Sequence, residues 1–181
     1  MSTLELSEQE QIRRNSLQEI IKLGINPFPA DEYPVSHYSG DILSRYDEES
    51  NKMEQVCVAG RIMTRRIMGN ASFIELKDKQ GRIQVYIRRD DVAKGEDKTL
   101  YNTVFKKLLD IGDFIGIKGF VFRTQTGEIS VHANEFTLLS KSIRPLPVVK
   151  EKDGVQYDAF GDPEQRYRMR YVDLIVNENV K

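Results

Sequence analysis

Two periodicities run along this chain and change over near residue 54. From Ser7 onward the apolar positions Ile12, Leu17, Ile20, Ile21 and Leu23 recur at roughly helical spacing. Ser7-Glu8-Gln9-Glu10 is a capping-box pattern, Gly24 stands at a C′ position, and Pro27 blocks continuation. The spacing predicts an amphipathic helix over about 7–23. Residues 25–38, INPFPADEYPVSHY, contain three prolines and predict an extended connector. A short helix is expected near 40–46, before the polar run DEESNK.

From Glu54 the period becomes two. Val56, Val58 and Ile62 share one parity, and Cys57, Ala59 and Met63 share the other, which predicts a long strand over about 55–67. Gly60 inside it points to a bulge or a sharp bend. Strands follow at about 72–77 and 82–88, joined by the turn Asp78-Lys79-Gln80-Gly81. Residues 99–109 predict a short helix with Leu100, Val104 and Leu108 on one side. Two more strands are expected at about 113–123 and 128–139, turning at Thr126-Gly127. The order β-β-β-α-β-β is that of a five-stranded Greek-key OB-fold barrel, so the expected class is mainly β with helices. The domain plan is a helical extension and connector over 1–53, the OB domain over 54–142, a linker over 143–156 around Arg144-Pro145-Leu146-Pro147, and the start of a further domain over 157–181.

The hairpin within 69–87 puts Ile74, Leu76, Ile83, Val85 and Ile87 on its core parity. Phe73, Gln84 and Tyr86 are left facing outward among Glu75, Lys77, Arg82 and Arg88. These fall on strands 2 and 3, the face that OB barrels use for oligonucleotides. A base stacks on an aromatic ring, and a Gln amide pairs with a base edge through donor and acceptor together. Arg61, Arg65 and Arg66 on strand 1 are candidates for holding phosphate or stacking on bases. A solvated face, or a neighbouring domain covering Phe73, accounts for the same pattern in a plainer way.

Charge sharpens the choice. The chain is near neutral, at −1 overall, but residues 61–89 hold 8 Lys+Arg and 2 Asp+Glu, whereas residues 1–60 hold 5 and 11. A local basic face on a neutral chain favours a polyanionic partner. A single cysteine, Cys57, and two distant histidines, His37 and His132, speak against a disulfide or a structural zinc site and offer no catalytic arrangement. Gly112, Gly116 and Gly119 lack the strand–loop–helix context of a phosphate loop. No apolar run has the length of a membrane span, and the N-terminus carries no signal-peptide pattern.

"VAGRIMTRRIMGNASFIELKDKQGRIQVYI" closely resembles the anticodon-binding domain of bacterial-type class II lysyl-tRNA synthetases. The resemblance continues through "GDFIGIKGFVFRTQTGEISVHANEFTLLSKSIRPLP" and "DPEQRYRMRYVDLIVN". It implies that Phe73 stacks on the central anticodon uridine, that Gln84 reads that base's edge, that Arg66 helps to hold it, and that Glu128 lies near the third base. Arg61 and Arg65 stay open between supporting phosphate contacts and structural charges. The resemblance further implies a cytoplasmic, homodimeric parent enzyme that uses ATP and Mg²⁺ to join lysine to tRNA(Lys). None of that enzyme's class II catalytic motifs lies in these residues, so the chain itself is not expected to be catalytic. Aspartyl and asparaginyl synthetases share a similar Arg, Phe, Gln arrangement, and a generic single-strand-binding OB module is a further alternative.

Overall fold

Alternation of apolar residues along five segments closes a sheet on itself. The computed structural model describes residues 6–147, 150–152, 155–157 and 160–177. Its strands are β1 (Val56–Met68), β2 (Ala71–Lys77), β3 (Arg82–Arg88), β4 (Phe114–Arg123) and β5 (Ile129–Ser140). They run in the order β1-β2-β3-β5-β4, and β4 pairs back onto β1, so the sheet closes into a ring. All pairings are antiparallel except β3 with β5, which is parallel. A parallel pair needs a long crossover. The chain between β3 and β5 supplies it as β4 and two helical pieces: one turn, α3 (Arg89–Val92), and a π-helix (Leu100–Leu108).

Ile62, Ile74, Val85, Ile87, Ile115, Ile117 and Val131 fill the ring, each under 2% exposed. The π-helix buries Tyr101, Val104, Phe105 and Leu108, with the Tyr101 and Phe105 rings stacked at 5.5 Å. The sequence predicts an ordinary helical turn here with Leu100 on its buried side. The structure instead has an i→i+5 hydrogen bond, Leu109 N–H to the Val104 carbonyl at 3.0 Å, and Leu100 is only partly buried. The wider winding brings Tyr101 inward, where its hydroxyl meets buried Ser72 at 2.8 Å.

The N-terminal helix α1 (Glu8–Lys22) has the expected capping box, with the Glu10 N–H donating to Ser7 Oγ at 3.3 Å and the Ser7 N–H to Glu10 Oε2 at 3.1 Å. That bond from Ser7 holds the Glu10 carboxyl below the usual carboxylate range. Its contribution is therefore present above the ordinary Glu pKa and is lost as pH falls through the lowered value. Ser7→Ala should cost about 1 kcal/mol of helix stability, read as faster exchange of the first-turn amides. The buried face of α1 is not the apolar stripe expected. Ile20 is inside, but Ile12, Ile21 and Leu23 are exposed, and Arg13 and Ser16 are buried in their place. Arg13 donates to the carbonyls of Ile111 at 2.9 Å and Ser142 at 3.2 Å, which ties α1 to the ring.

The connector ends in a second helix, α2 (Ser39–Arg45), pinned to the β2–β3 turn. Asp78 accepts from the Ser39 N–H and Oγ, both at 2.6 Å, and from the Gln80 and Gly81 N–H groups of its own turn. Gly60 serves a close approach rather than the bulge expected there: a Cβ would stand 2.8 Å from the Lys77 carbonyl oxygen. The register shift lies two residues on, between Ile62 and Thr64.

The chain divides into two compact units at Arg144–Pro145. The second unit contains a two-stranded ribbon, β6 (Lys150–Lys152) with β7 (Val155–Tyr157), and the helices α4 (Pro163–Arg168) and α5 (Arg170–Val176). Asp173, 1% exposed, joins those helices by accepting from Arg166, Arg170 and Asn177. Parts of the linker and of the last segment expected from the sequence, at 148–149, 153–154, 158–159 and 178–181, lie outside the described residues.

Candidate nucleic-acid interface

The site starts from one extra residue in β1. Ile62 pairs with Leu76 and Thr64 with Glu75, so Met63 has no partner of its own. A bulge of this kind re-aims every side chain beyond it. Up to Ile62 the even-numbered residues face the core; past Met63 they face out. Arg66 thereby stands on the outer face opposite Phe73, whereas Arg65 stands opposite the core residue Ile74.

This divides the three arginines that the sequence grouped together. Arg65 donates to the carbonyls of Phe105 and Leu109 at the end of the π-helix. Arg61 donates to the Gly112 carbonyl at 2.9 Å and lies over the Phe114 ring at 4.2 Å. Burial lowers the pKa of both guanidinium groups from the usual arginine value. Of the two roles left open for Arg61 and Arg65, these bonds favour the structural one. Arg66 is exposed and has no hydrogen-bond partner among the described residues; its guanidinium lies 5.5 Å from the Phe73 ring centre.

From Arg66 a row crosses the whole sheet. Arg66 pairs with Phe73, Phe73 with Tyr86, Tyr86 with His132, and His132 with Phe120. The ring centres follow at 5.0, 5.1 and 4.7 Å, and the last contact is stacked. Phe122 adds an edge to Tyr86 at 6.0 Å and to His132 at 5.7 Å. All five rings are part-exposed. His132 is held from behind by Asp91 on α3, Nε2 to Oδ2 at 2.7 Å. Outward parity singles out Phe73 and Tyr86 in the sequence; His132, considered there only for zinc binding or catalysis, joins them here with Phe120 and Phe122. Their alternate positions in β4 and β5 were the available signal.

A second row lies beside the first: Thr64, Glu75, Gln84, Ser130 and Phe122 across the five strands. Gln84 Nε2 donates to Glu128 Oε2 at 2.7 Å, and Ser130 Oγ donates to Gln84 Oε1 at 3.0 Å. Glu75 is taken up by Arg82 at 2.6 Å. Two adjoining hollows open here, of about 290 and 480 Å³, and Arg66, Phe73, Gln84 and Glu128 line both. The smaller also borders Thr64, Arg65 and Glu75, the larger Tyr86 and Phe122. The four residues picked from the sequence therefore stand around one depression. It offers a ring to stack on, an exposed guanidinium, an amide with fixed partners and a carboxylate.

Residues 56–139 match the family described as OB-fold nucleic acid binding domain, tRNA anti-codon. A lysine–tRNA ligase of Porphyromonas gingivalis (strain ATCC BAA-308 / W83) is 64% identical over 182 residues, covering 100% of this chain and 32% of that protein. Over its whole length the chain is homologous to lysine–tRNA ligases. Lysine–tRNA ligases of Azobacteroides pseudotrichonymphae and Christiangramia forsetii are 62% and 57% identical, over 97% and 98% of the chain and 35% and 31% of those proteins. The chain thus spans about one third of the length of the curated relatives it matches. No helix among the described residues is long and apolar enough to cross a membrane.

Proposed function

We propose that this chain reads the anticodon loop of a lysine-accepting tRNA on the outer face of β1–β3. Phe73 stacks on the central uridine, the Gln84 amide pairs with that base's edge, and Arg66 holds the stacked base or its phosphate. Glu128 accepts from the neighbouring third base. The observation that carries this reading is the continuous row Arg66–Phe73–Tyr86–His132–Phe120, with the Gln84–Glu128 pair set beside Phe73. Similarity to lysine–tRNA ligases over the whole chain, and the family match over 56–139, support it from an independent direction. The domain plan of extension, OB domain, linker and the start of a catalytic domain belongs to the same proposal.

The whole protein, on this reading, is a cytoplasmic homodimer that joins lysine to tRNA with ATP and Mg²⁺. The proposal gives these cofactors no residue of this chain.

The test is a titration of the chain with an RNA stem-loop bearing UUU and with the same stem carrying a shuffled loop. Tighter binding of UUU, weakening as salt rises, is the expected result. Equal affinity for both loops returns the domain to a generic single-strand binder. A loop bearing an aspartate or asparagine anticodon separates the related synthetases. In the same assay Gln84→Ala should reduce discrimination at the central base by about tenfold, roughly one good base-edge contact, with a smaller loss of total affinity.

A further inference from the structure

We propose that the Glu128 carboxylate fixes which end of the Gln84 amide faces each side of a bound base, with Ser130 a positioning residue that holds the carbonyl end in place, and that this order selects uridine over cytidine. This rests on the reading of Phe73 and Gln84 as the central-base site.

The orientation follows from donor and acceptor chemistry. An ionised carboxylate only accepts, so the amide end against Glu128, at 2.7 Å, is the NH₂. The carbonyl end then faces Ser130 at 3.0 Å, and the hydroxyl donates to it. The alternative acceptor for that hydroxyl, the Glu128 backbone carbonyl, is farther away at 3.4 Å. Turning the amide over would set its carbonyl oxygen against the carboxylate and leave a polar group without a partner. Ser130 is itself fully buried. It stands opposite Gln84 in the parallel β3–β5 ladder, so its place is set by backbone pairing.

Each end of the clamped amide keeps one free valence, a second N–H and a second lone pair. These present a donor and an acceptor in fixed order. Uridine offers its O4 acceptor beside the N3–H donor. Cytidine offers its N4 amino donor beside the N3 acceptor, the inverse order. A clamped amide matches one of these, whereas an amide free to turn over accommodates either. Ser130 touches no base in this scheme; it acts through Gln84.

The experiment measures affinity of the full 181-residue chain for two RNA stem-loops that differ only at the central anticodon base, U or C. The wild-type preference for U is expected to be about tenfold, and Ser130→Ala, which leaves the carboxylate to set the order, should lower it in part, to about threefold. A Ser130 role confined to folding would lower affinity for both loops alike and leave the ratio intact. Glu128→Gln is the second variant. Glu128 is exposed, and a neutral amide there can donate or accept, so the polarity of Gln84 is released without touching the buried serine. It should bring the ratio to about twofold or less, and it carries the test if Ser130→Ala does not fold. An unchanged ratio in a folded Ser130→Ala, or in Glu128→Gln, overturns the clamp while leaving the central-base site standing. A wild type indifferent to U and C overturns the Gln84 reading itself.

Discussion

Asp113→Ala should lower the unfolding free energy by about 3–5 kcal/mol, the range for stripping one partner from a buried ion pair. Asp113 and the Lys141 side chain are both fully buried. The carboxylate accepts from Lys141 Nζ at 3.0 and 3.1 Å, from the Ser142 N–H at 2.7 Å and from the Asp110 N–H at 2.7 Å. Burial raises the Asp113 pKa above the usual aspartate value, against the pull of Lys141 and the two amides. Removing the carboxylate strands the ammonium with Asp110 alone, at 2.6 Å, and releases the backbone where β4 begins and β5 ends. The readout is a lower urea midpoint with an unchanged slope. Lys118→Ala, which breaks an exposed pair with Glu135, should stay within about 1 kcal/mol. The double replacement Asp113→Ala with Lys141→Met should recover part of the loss, because no buried charge is then left alone. A loss below about 1 kcal/mol for Asp113→Ala would show that water reaches this pair and screens it.

Phe73→Ala should weaken binding of a lysine anticodon stem-loop by about 1–3 kcal/mol, the scale of one lost base stack. The ring is held between the Arg66 guanidinium at 5.5 Å and the Tyr86 ring at 5.0 Å. It sits on the outer face, so folding should be little changed and the effect should appear as affinity. Fluorescence anisotropy against the labelled stem-loop decides it, with circular dichroism as the check on folding. Phe73→Leu keeps apolar area but removes the flat π-face, and should recover little. Equal binding by Phe73→Ala and wild type would sink the stacking role.

Alternation made the strands and their inward faces readable. Phe73, Gln84 and Tyr86 share an outward parity that no burial argument explains, and the structure places all three beside one depression. Arg65 and Arg66 could not be told apart in this way. Their faces depend on the extra residue at Met63, which changes parity without any mark in composition. The burial of Lys141 was equally hidden, because a lysine after a strand reads as solvated until Asp110 and Asp113 are brought to it. In α1 the apolar spacing predicted the helix but misplaced its buried side. Arg13 reaches carbonyls of Ile111 and Ser142, which no local periodicity encodes. Ser130 carries no mark in the sequence; only the parallel β3–β5 pairing brings it to Gln84.

That parallel pairing also dictates when the face can exist. Phe73 and Gln84 are in place once β2 and β3 have formed a hairpin, but Glu128, Ser130 and His132 join them only after β5 has docked beside β3. A ribosome that has exported residues only through β4 holds an open half-sheet with an unclamped amide. On the proposed reading, selective contact with RNA is withheld until the last strand of the ring is inserted, and base discrimination and ring closure should appear at the same chain length.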